Sequence, residues 1–364
     1  MTSRKFRVSQ ALFTTAVLVL SAAAAGAQDL SSLASTTAPV IFQFVPTPQV
    51  DDVGSISADS EHDIWATSIT SSVALHFNGS TWGKVPMAKA SRVSKAVVIS
   101  PTNVWAVGQQ TTAKFSQVQH FNGSTWSVVA SPHFAGGEDL NSIKAVSASS
   151  IFAVGDSFDS LGNRTPLIEH FNGTRWSVVT APKVATAELF DLAIISASDI
   201  WAVGGTGSGS ALTLHFNGVQ WSLVPAPVAG LFAVTALSTN NVWAVGRQLT
   251  ASTVVAHWNG TAWKIVPSPN TGSLSALNSI SAISSTDIWA AGCSVCADAG
   301  GGASALIEHW NGTTWTVNPA PVEFSGVAAN AVLAFPSSKH IFVGGFAFAS
   351  FGPTSVILEG KEGP

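Results

Sequence analysis

Six copies of a four-residue unit, His followed by Phe or Trp and then Asn-Gly, begin at His76, His120, His170, His215, His257 and His309. Each copy places a tryptophan six residues after its histidine, at Trp82, Trp126, Trp176, Trp221, Trp263 and Trp315. Asn-Gly tolerates the positive φ angles of a tight primed turn while the flanking runs favour strand, so each copy reads as a β-hairpin. By subtraction the histidines lie 44, 50, 45, 42 and 52 residues apart. A second signature precedes each hairpin: IWA at Trp65, VWAVG at Trp105, IFAVG at Phe152, IWAVG at Trp201, VWAVG at Trp243 and IWAAG at Trp289, with a seventh, IFVGG, at Phe342. A period of about 40 to 50 residues holding about four strand-length runs is the mark of a β-propeller blade.

The third unit shows the four runs: LNSIKAVS from Leu140, SIFAVG from Ser150, PLIEHFNG from Pro166 and TRWSVV from Thr174. The two ends of the chain are complementary. VIFQFVPTPQ, residues 40–49, has the pattern of a fourth strand without the other three, and SVILEGKEGP at the far end is a third strand with nothing behind it. If the N-terminal strand pairs with Val356 to Glu359, the ring closes without an open blade edge. The expected fold is all-β, a seven-bladed β-propeller of four-stranded antiparallel blades over residues 40–360. A signal peptide (1–27) and a flexible lead-in (28–39) would precede it, and a short tail (361–364) would follow.

Arg4, Lys5 and Arg7 stand before an apolar run from Ala11 to Ala25, and Ala25-Gly26-Ala27 offers the small residues of a cleavage site after Ala27. A secreted, periplasmic or cell-envelope location follows, a retained anchor being the rival reading that the short run disfavours. No later run is long enough to cross a bilayer as a helix, so no transmembrane segment is expected in the mature chain, which is also expected to be a monomer. Only 10% of residues are charged and the net charge is -4, which leaves no basic surface for nucleic acid. Cys293 and Cys296 lie in GCSVCADAGGG. In an exported chain this pair favours a local disulfide over a redox-active CxxC, and no further ligands complete a metal site.

In a propeller the first strand lines the channel, and the loops after the second and fourth strands open on one face. Those are the segments that vary here, so function is expected there. Aligning the first strands on the serine that closes most of them puts Asp52, Lys95, Ser142, Asp191, Ala233, Ser279 and Asn330 in one ring. The next position is apolar throughout: Val53, Ala96, Ile143, Leu192, Val234, Ile280 and Ala331. Alternation sets the apolar ring between blades and the polar one toward the channel. Asp52, Lys95, Lys144, Asp191 and Asn330 are therefore the candidate ligand-binding residues at the channel mouth. A merely wet channel is the plain alternative, and the rim loop from Asp156 to Arg164 is the rival location.

The remaining motifs read as structural. All 13 tryptophans fall inside the repeats, which indicates packing with the indole N–H satisfied by backbone. The six histidines belong to different blades and cannot converge on one ion. Asp63, Asn103, Ser150, Asp199, Asn241 and Asp287 before the second strands read as turn residues. Asn78, Asn122, Asn172, Asn259 and Asn311 match a glycosylation pattern that the turn itself already requires. Glu169 and Glu308 precede repeat histidines where other blades have Gln119, Leu75, Leu214 and Ala256, which reads as tolerated surface variation. The chain contains no tyrosine, which excludes sialidase-type nucleophiles and tyrosine-based copper radical centres. No catalytic residue and no cofactor are assigned.

At HFNGTRW and IWAVG the chain resembles the tandem-repeat propellers of exported bacterial proteins, and more loosely kelch/galactose-oxidase-like and Asp-box (BNR) repeats, over residues 40–359. Gly-x-Thr-Trp at Gly79 to Trp82, Gly123 to Trp126 and Gly312 to Trp315 lacks the aspartate two residues before the glycine, and the kelch tyrosine is missing. The resemblance implies the propeller and carries no glycosidase activity with it. The expected function is an exported binding or interaction module for a protein or glycan on the variable face, more readily than an enzyme. A polysaccharide lyase or glycosidase with a site at the channel mouth, and a structural cell-envelope protein, are the alternatives.

Overall fold

In blade 3 the strands Glu138–Ser147, Ser150–Phe158, Arg164–Phe171 and Trp176–Val178 pair antiparallel in sequence order. Seven four-stranded antiparallel sheets of this kind make up the computed structural model, a seven-bladed β-propeller. The structure describes residues 39–361 except 89–90, 111–113, 249–251, 270–273, 295, 297–303, 322–325 and 350–351. The segments read as signal peptide, lead-in up to residue 38 and tail beyond residue 361 lie outside the described residues. Among the described residues no helix is long and apolar enough to cross a membrane.

Local chemistry sets each blade. At the hairpin of blade 3, Asn172 Oδ1 accepts the backbone N–H groups of Thr174 (3.1 Å) and Arg175 (3.0 Å), and Gly173 adopts a φ of 90° that a side chain would oppose. The first strand carries a bulge, its pairing with the second skipping one residue between Leu140 and Ser142. The same skip recurs in blades 2 and 4 to 7. This bulge presses the Asp139 carbonyl onto Gly155, where a Cβ would collide with it, and so explains the glycine that ends the VWAVG signature.

The core is divided among the seams. Seven apolar clusters each join two neighbouring blades, and each unites the second-strand signature of one blade with the hairpin aromatic of the next. Trp126 stands edge-on to Trp65 of the preceding blade with ring centroids 5.5 Å apart, Trp176 to Trp105 at 5.9 Å, Trp263 to Trp201 at 5.4 Å and Trp315 to Trp243 at 6.0 Å.

Closure uses the same contact. Strand β1 (Phe42–Phe44) is the fourth strand of blade 7, with Phe42 opposite Gly360, Gln43 opposite Glu359 and Phe44 opposite Leu358. Phe42 takes the place of a hairpin tryptophan and meets Trp289 edge-on at 6.0 Å. Asn318 of blade 6 holds the start of this strand, accepting from Val40 N (2.8 Å) and donating to Val40 O (2.7 Å). Replacing Phe42 with alanine should therefore cost about 3–5 kcal/mol, the usual range for a buried aromatic. Thermal unfolding of the protein checks this, and an unchanged melting temperature would refute the closing role.

Candidate functional site: the channel and its variable-face mouth

The repeat histidines stay within their own blades. Each Nε2 meets the turn residue that opens the second strand: His76 with Asp63 at 2.6 Å, His120 with Asn103 at 2.9 Å, His170 with Ser150 at 3.0 Å, His215 with Asp199 at 2.8 Å, His257 with Asn241 at 2.9 Å and His309 with Asp287 at 3.0 Å. The imidazole also stacks on the second-strand aromatic, as in Trp65 with His76 at 4.3 Å and Trp289 with His309 at 4.2 Å. Four of these indoles, Trp65, Trp105, Trp243 and Trp289, donate Nε1–H to the same turn side chain. The turn Asp and Asn residues thus accept from His, and four of them from Trp as well, beyond the local turn role expected of them. Burial holds His120, His170 and His257 below the usual histidine range, and these are the three whose partner is a neutral Asn or Ser. The hairpin indoles depart from expectation: Trp82, Trp126, Trp176, Trp221, Trp263 and Trp315 make no hydrogen bond through Nε1 to the described residues.

The strand register corrects the proposed channel ring at two of its seven places. Lys95, Ser142, Asp191, Ala233 and Ser279 do stand at one level, opposite Val107, Val154, Val203, Val245 and Ala291 of their second strands. The matching residues of blades 1 and 7 are Ser55 and Ala331, opposite Thr67 and Gly344. Asp52 lies ahead of the first strand, accepting from the Ser68 hydroxyl and from Ile69 N (3.1 Å). Asn330 is the bulge residue, with its amide donated to Val53 O at 3.1 Å. The apolar ring shifts likewise, from Val53 and Ala331 to Ile56 and Val332. Counting back from a closing serine failed because blade 7 ends its first strand without one, and because in blade 1 the count that gives Asp52 starts at Ser57 whereas the strand closes at Ser60.

Three of the candidates converge. Asp191 is buried, and its Oδ1 receives Lys95 Nζ from blade 2 (2.7 Å) and the Ser142 hydroxyl from blade 3 (2.7 Å). Its Oδ2 receives Val234 N of blade 5 (3.1 Å), so one carboxylate ties four blades together. Burial opposes its charge, but the ammonium groups of Lys95 and Lys144 and the Ser142 hydroxyl outweigh that and hold it below the usual carboxylate range.

At the variable face, a second polar group was missed by the ring argument. Arg164 Nη1 reaches Asp156 Oδ2 (2.7 Å), Glu188 Oε2 (3.0 Å) and Asp139 Oδ2 (3.7 Å), and its guanidinium lies 4.8 Å from the centre of the Phe158 ring. Burial lifts the Asp156 carboxyl to about 7 against the pull of Arg164, and lifts Asp139 as well. Beside them Glu138 is fully buried, accepting Ser116 N (3.0 Å), Phe134 N (2.9 Å) and His133 Nδ1 (2.7 Å). The other half of this mouth is apolar. Phe190 and Phe232 are the bulge residues of blades 4 and 5, half-buried and edge-to-face at 5.7 Å. Phe232 continues into a patch with Phe346 and the Cys293–Cys296 disulfide. The available signal was a concentration of charge at the first-strand starts, EDL at Glu138 and AEL at Ala187, in a chain poor in charge.

Glu169 and Glu308 are not surface residues. Both are fully buried on the third strand, face the preceding blade and make no hydrogen bond through either carboxyl oxygen to the described residues. Burial raises each to about 8, with Glu138 adding to the effect at Glu169. Among the described residues no group of three or more His, Cys, Asp or Glu could hold a metal ion.

These features define a tandem-repeat seven-bladed propeller with an asymmetric channel. Neither a protein-family model nor a curated protein matches the chain. Solved structures do match in fold. YCF48 bound to a D1 peptide superposes with a TM-score of 0.59 at 14% identity, covering 90% of this chain and 96% of that one. YCF48 from Cyanidioschyzon merolae gives 0.59 at 16% identity, with 88% and 98% covered, and the WD40 propeller domain of Doa1 gives 0.57 at 9%, with 87% and 97% covered.

Two outcomes follow from the buried acids and the clasp. An acid that titrates near 4.5 when unfolded and near 8 when folded keeps its proton longer in the native state, so stability falls as pH rises through that window and levels off above it. The slope is about 1.4 kcal/mol per pH unit for each group. Replacing Glu169 and Glu308 with glutamine, the residue blade 2 has at this place, should flatten it. Chemical unfolding from pH 5 to about 9 checks this, and equal slopes in variant and wild type would refute the buried protonated acids. Asp191→Ala should destabilise by about 3–5 kcal/mol, since it leaves Lys95 unpaired in the channel. A denaturation midpoint equal to wild type would contradict the clasp.

Proposed function

We propose that this chain is an exported interaction module whose variable-face mouth binds an extended segment of a partner protein. The observation that carries this reading is the divided mouth. Phe190, Phe232 and Phe346 supply half-buried aromatic surface on one side. Arg164, Asp139 and Glu188 supply partly exposed charges of both signs on the other. Aromatic anchors beside a rim of polar groups are the usual anatomy of a protein-binding patch. The likeness in fold to YCF48 bound to a D1 peptide supports the same reading, because a propeller of this architecture there accommodates a peptide. Export rests on the basic start and apolar run before Ala27. The kelch-like and Asp-box-like character of the repeat is part of this proposal only as far as HFNGTRW and IWAVG carry it.

The test is a displayed-peptide selection and a glycan array on the mature protein, each read with Phe232→Ala and Arg164→Ala. Selected peptides should carry aromatic or aliphatic residues, and Phe232→Ala should weaken them at least about tenfold, as removal of an anchor does. Binding to glycans alone, or peptide binding that neither variant disturbs, would overturn the proposal.

A further inference from the structure

Below the mouth, the channel holds an ammonium group, Lys144, that makes no ion pair with the described residues. Lys144 stands two residues beyond Ser142 on the first strand of blade 3, opposite Phe152. Its level is shared with four small side chains, Ser57, Ala193, Thr235 and Ser281, and with two aliphatic ones, Val97 and Leu333, each opposite a second-strand aromatic. Lys144 is exposed, yet it sits deep enough in the ring for burial to press its ammonium below the usual lysine range, with Asp191 opposing and Lys95 reinforcing that shift. Asp191 has both oxygens occupied by Lys95, Ser142 and Val234 N. Among the described residues Lys144 makes no ion pair of its own. One carboxylate, Asp191, therefore serves two ammonium groups at these two levels, and the nearest further carboxylate on the first strands, Asp59 of blade 1, stands one level closer to the hairpin face.

Toward the hairpin face, the next level of the channel is aliphatic. The first strands carry a second irregularity just before their closing serines, and the residues skipped there are Ile99, Val146, Ile195, Leu237 and Ile283. Each packs partly on a seam cluster and leaves the rest of its surface accessible. Blade 1 has Asp59 at this level. A cation framed by small and aliphatic side chains, with a mainly aliphatic collar one step beyond it, is complementary to a molecule with an anionic head and an apolar body.

We propose that the hairpin-face half of the channel binds an amphiphilic organic carboxylate, its head on Lys144 and Lys95 and its tail against the aliphatic collar. The site is separate from the variable-face mouth and does not rest on the peptide reading. Calorimetric titration of the mature protein with sodium octanoate tests it, with sodium acetate and 1-octanol as single-feature controls. Octanoate should bind saturably at one site, more tightly than either control. Lys144→Met, which keeps length and loses charge, should weaken octanoate about ten- to hundredfold, the value of a charge-assisted hydrogen bond. No saturable octanoate binding, equal affinity for octanol, or full affinity in a folded Lys144→Met protein would each overturn the proposal. A readout without any variant is the NMR signal of the Lys144 side chain in the wild-type protein. It should shift on octanoate addition, and an unmoved signal at saturation would equally overturn it.

Discussion

The edge-on contact between one blade's hairpin aromatic and the preceding blade's second-strand ring is the interaction on which the rest of this molecule depends. Each aromatic buries on the order of 150–250 Å² and gains about 0.5–1.5 kcal/mol more from its tilted geometry. A blade presents apolar residues on both faces, so it is complete only between two neighbours, and the seven seam clusters are that requirement met around a ring. The ring therefore has no natural end. The chain resolves this by giving its first strand an aromatic, Phe42, in the tryptophan position, and a pair of hydrogen bonds between the Asn318 side-chain amide and the Val40 backbone that dock the strand beside it.

Sevenfold packing then leaves polar groups to be settled blade by blade. Around most of the ring the settlement is uniform, with His Nε2 and a turn Asp, Asn or Ser bonded beside a stacked aromatic. Blades 2 to 4 break that uniformity. Lys95, Lys144 and Asp191 occupy channel positions that are Ser, Ala or Thr in several other blades, and Glu138, Asp139, Asp156, Arg164 and Glu188 gather at the variable face above them. In a chain with only 16 basic and 20 acidic residues, this is where electrostatics can act with little competition. Low dielectric makes each such group consequential, as the raised Asp156 shows.

Much of the architecture was legible because its causes are local. Asn-Gly followed by a polar residue folds its own hairpin, VWAVG alternates as a strand must, and an unmatched fourth strand at one end answers an unmatched third at the other. The site was legible only in part. Lys95, Lys144 and Asp191 emerged because charge is scarce at equivalent strand positions, and the structure brings them together. Asp52 and Asn330 were misplaced because serines recur along the first strand of blade 1 and are missing from the end of that of blade 7, so the string does not mark where either strand closes. Glu169 and Glu308 looked like surface variation because nothing in the string distinguishes a third-strand residue facing water from one facing the preceding blade.

By itself, then, the amino-acid sequence determined the repeat, the strand order within a blade, the blade count and the complementarity of the two termini, since each depends on neighbours a few residues apart or on a period that survives inspection. Only the tertiary structure decided which residues share a level of the channel, which acids are deprived of water and which charges meet. Lys95 and Asp191 lie 96 residues apart by subtraction and on different blades, and their 2.7 Å contact exists because ring closure brings the first strands of blades 2 and 4 to face one channel.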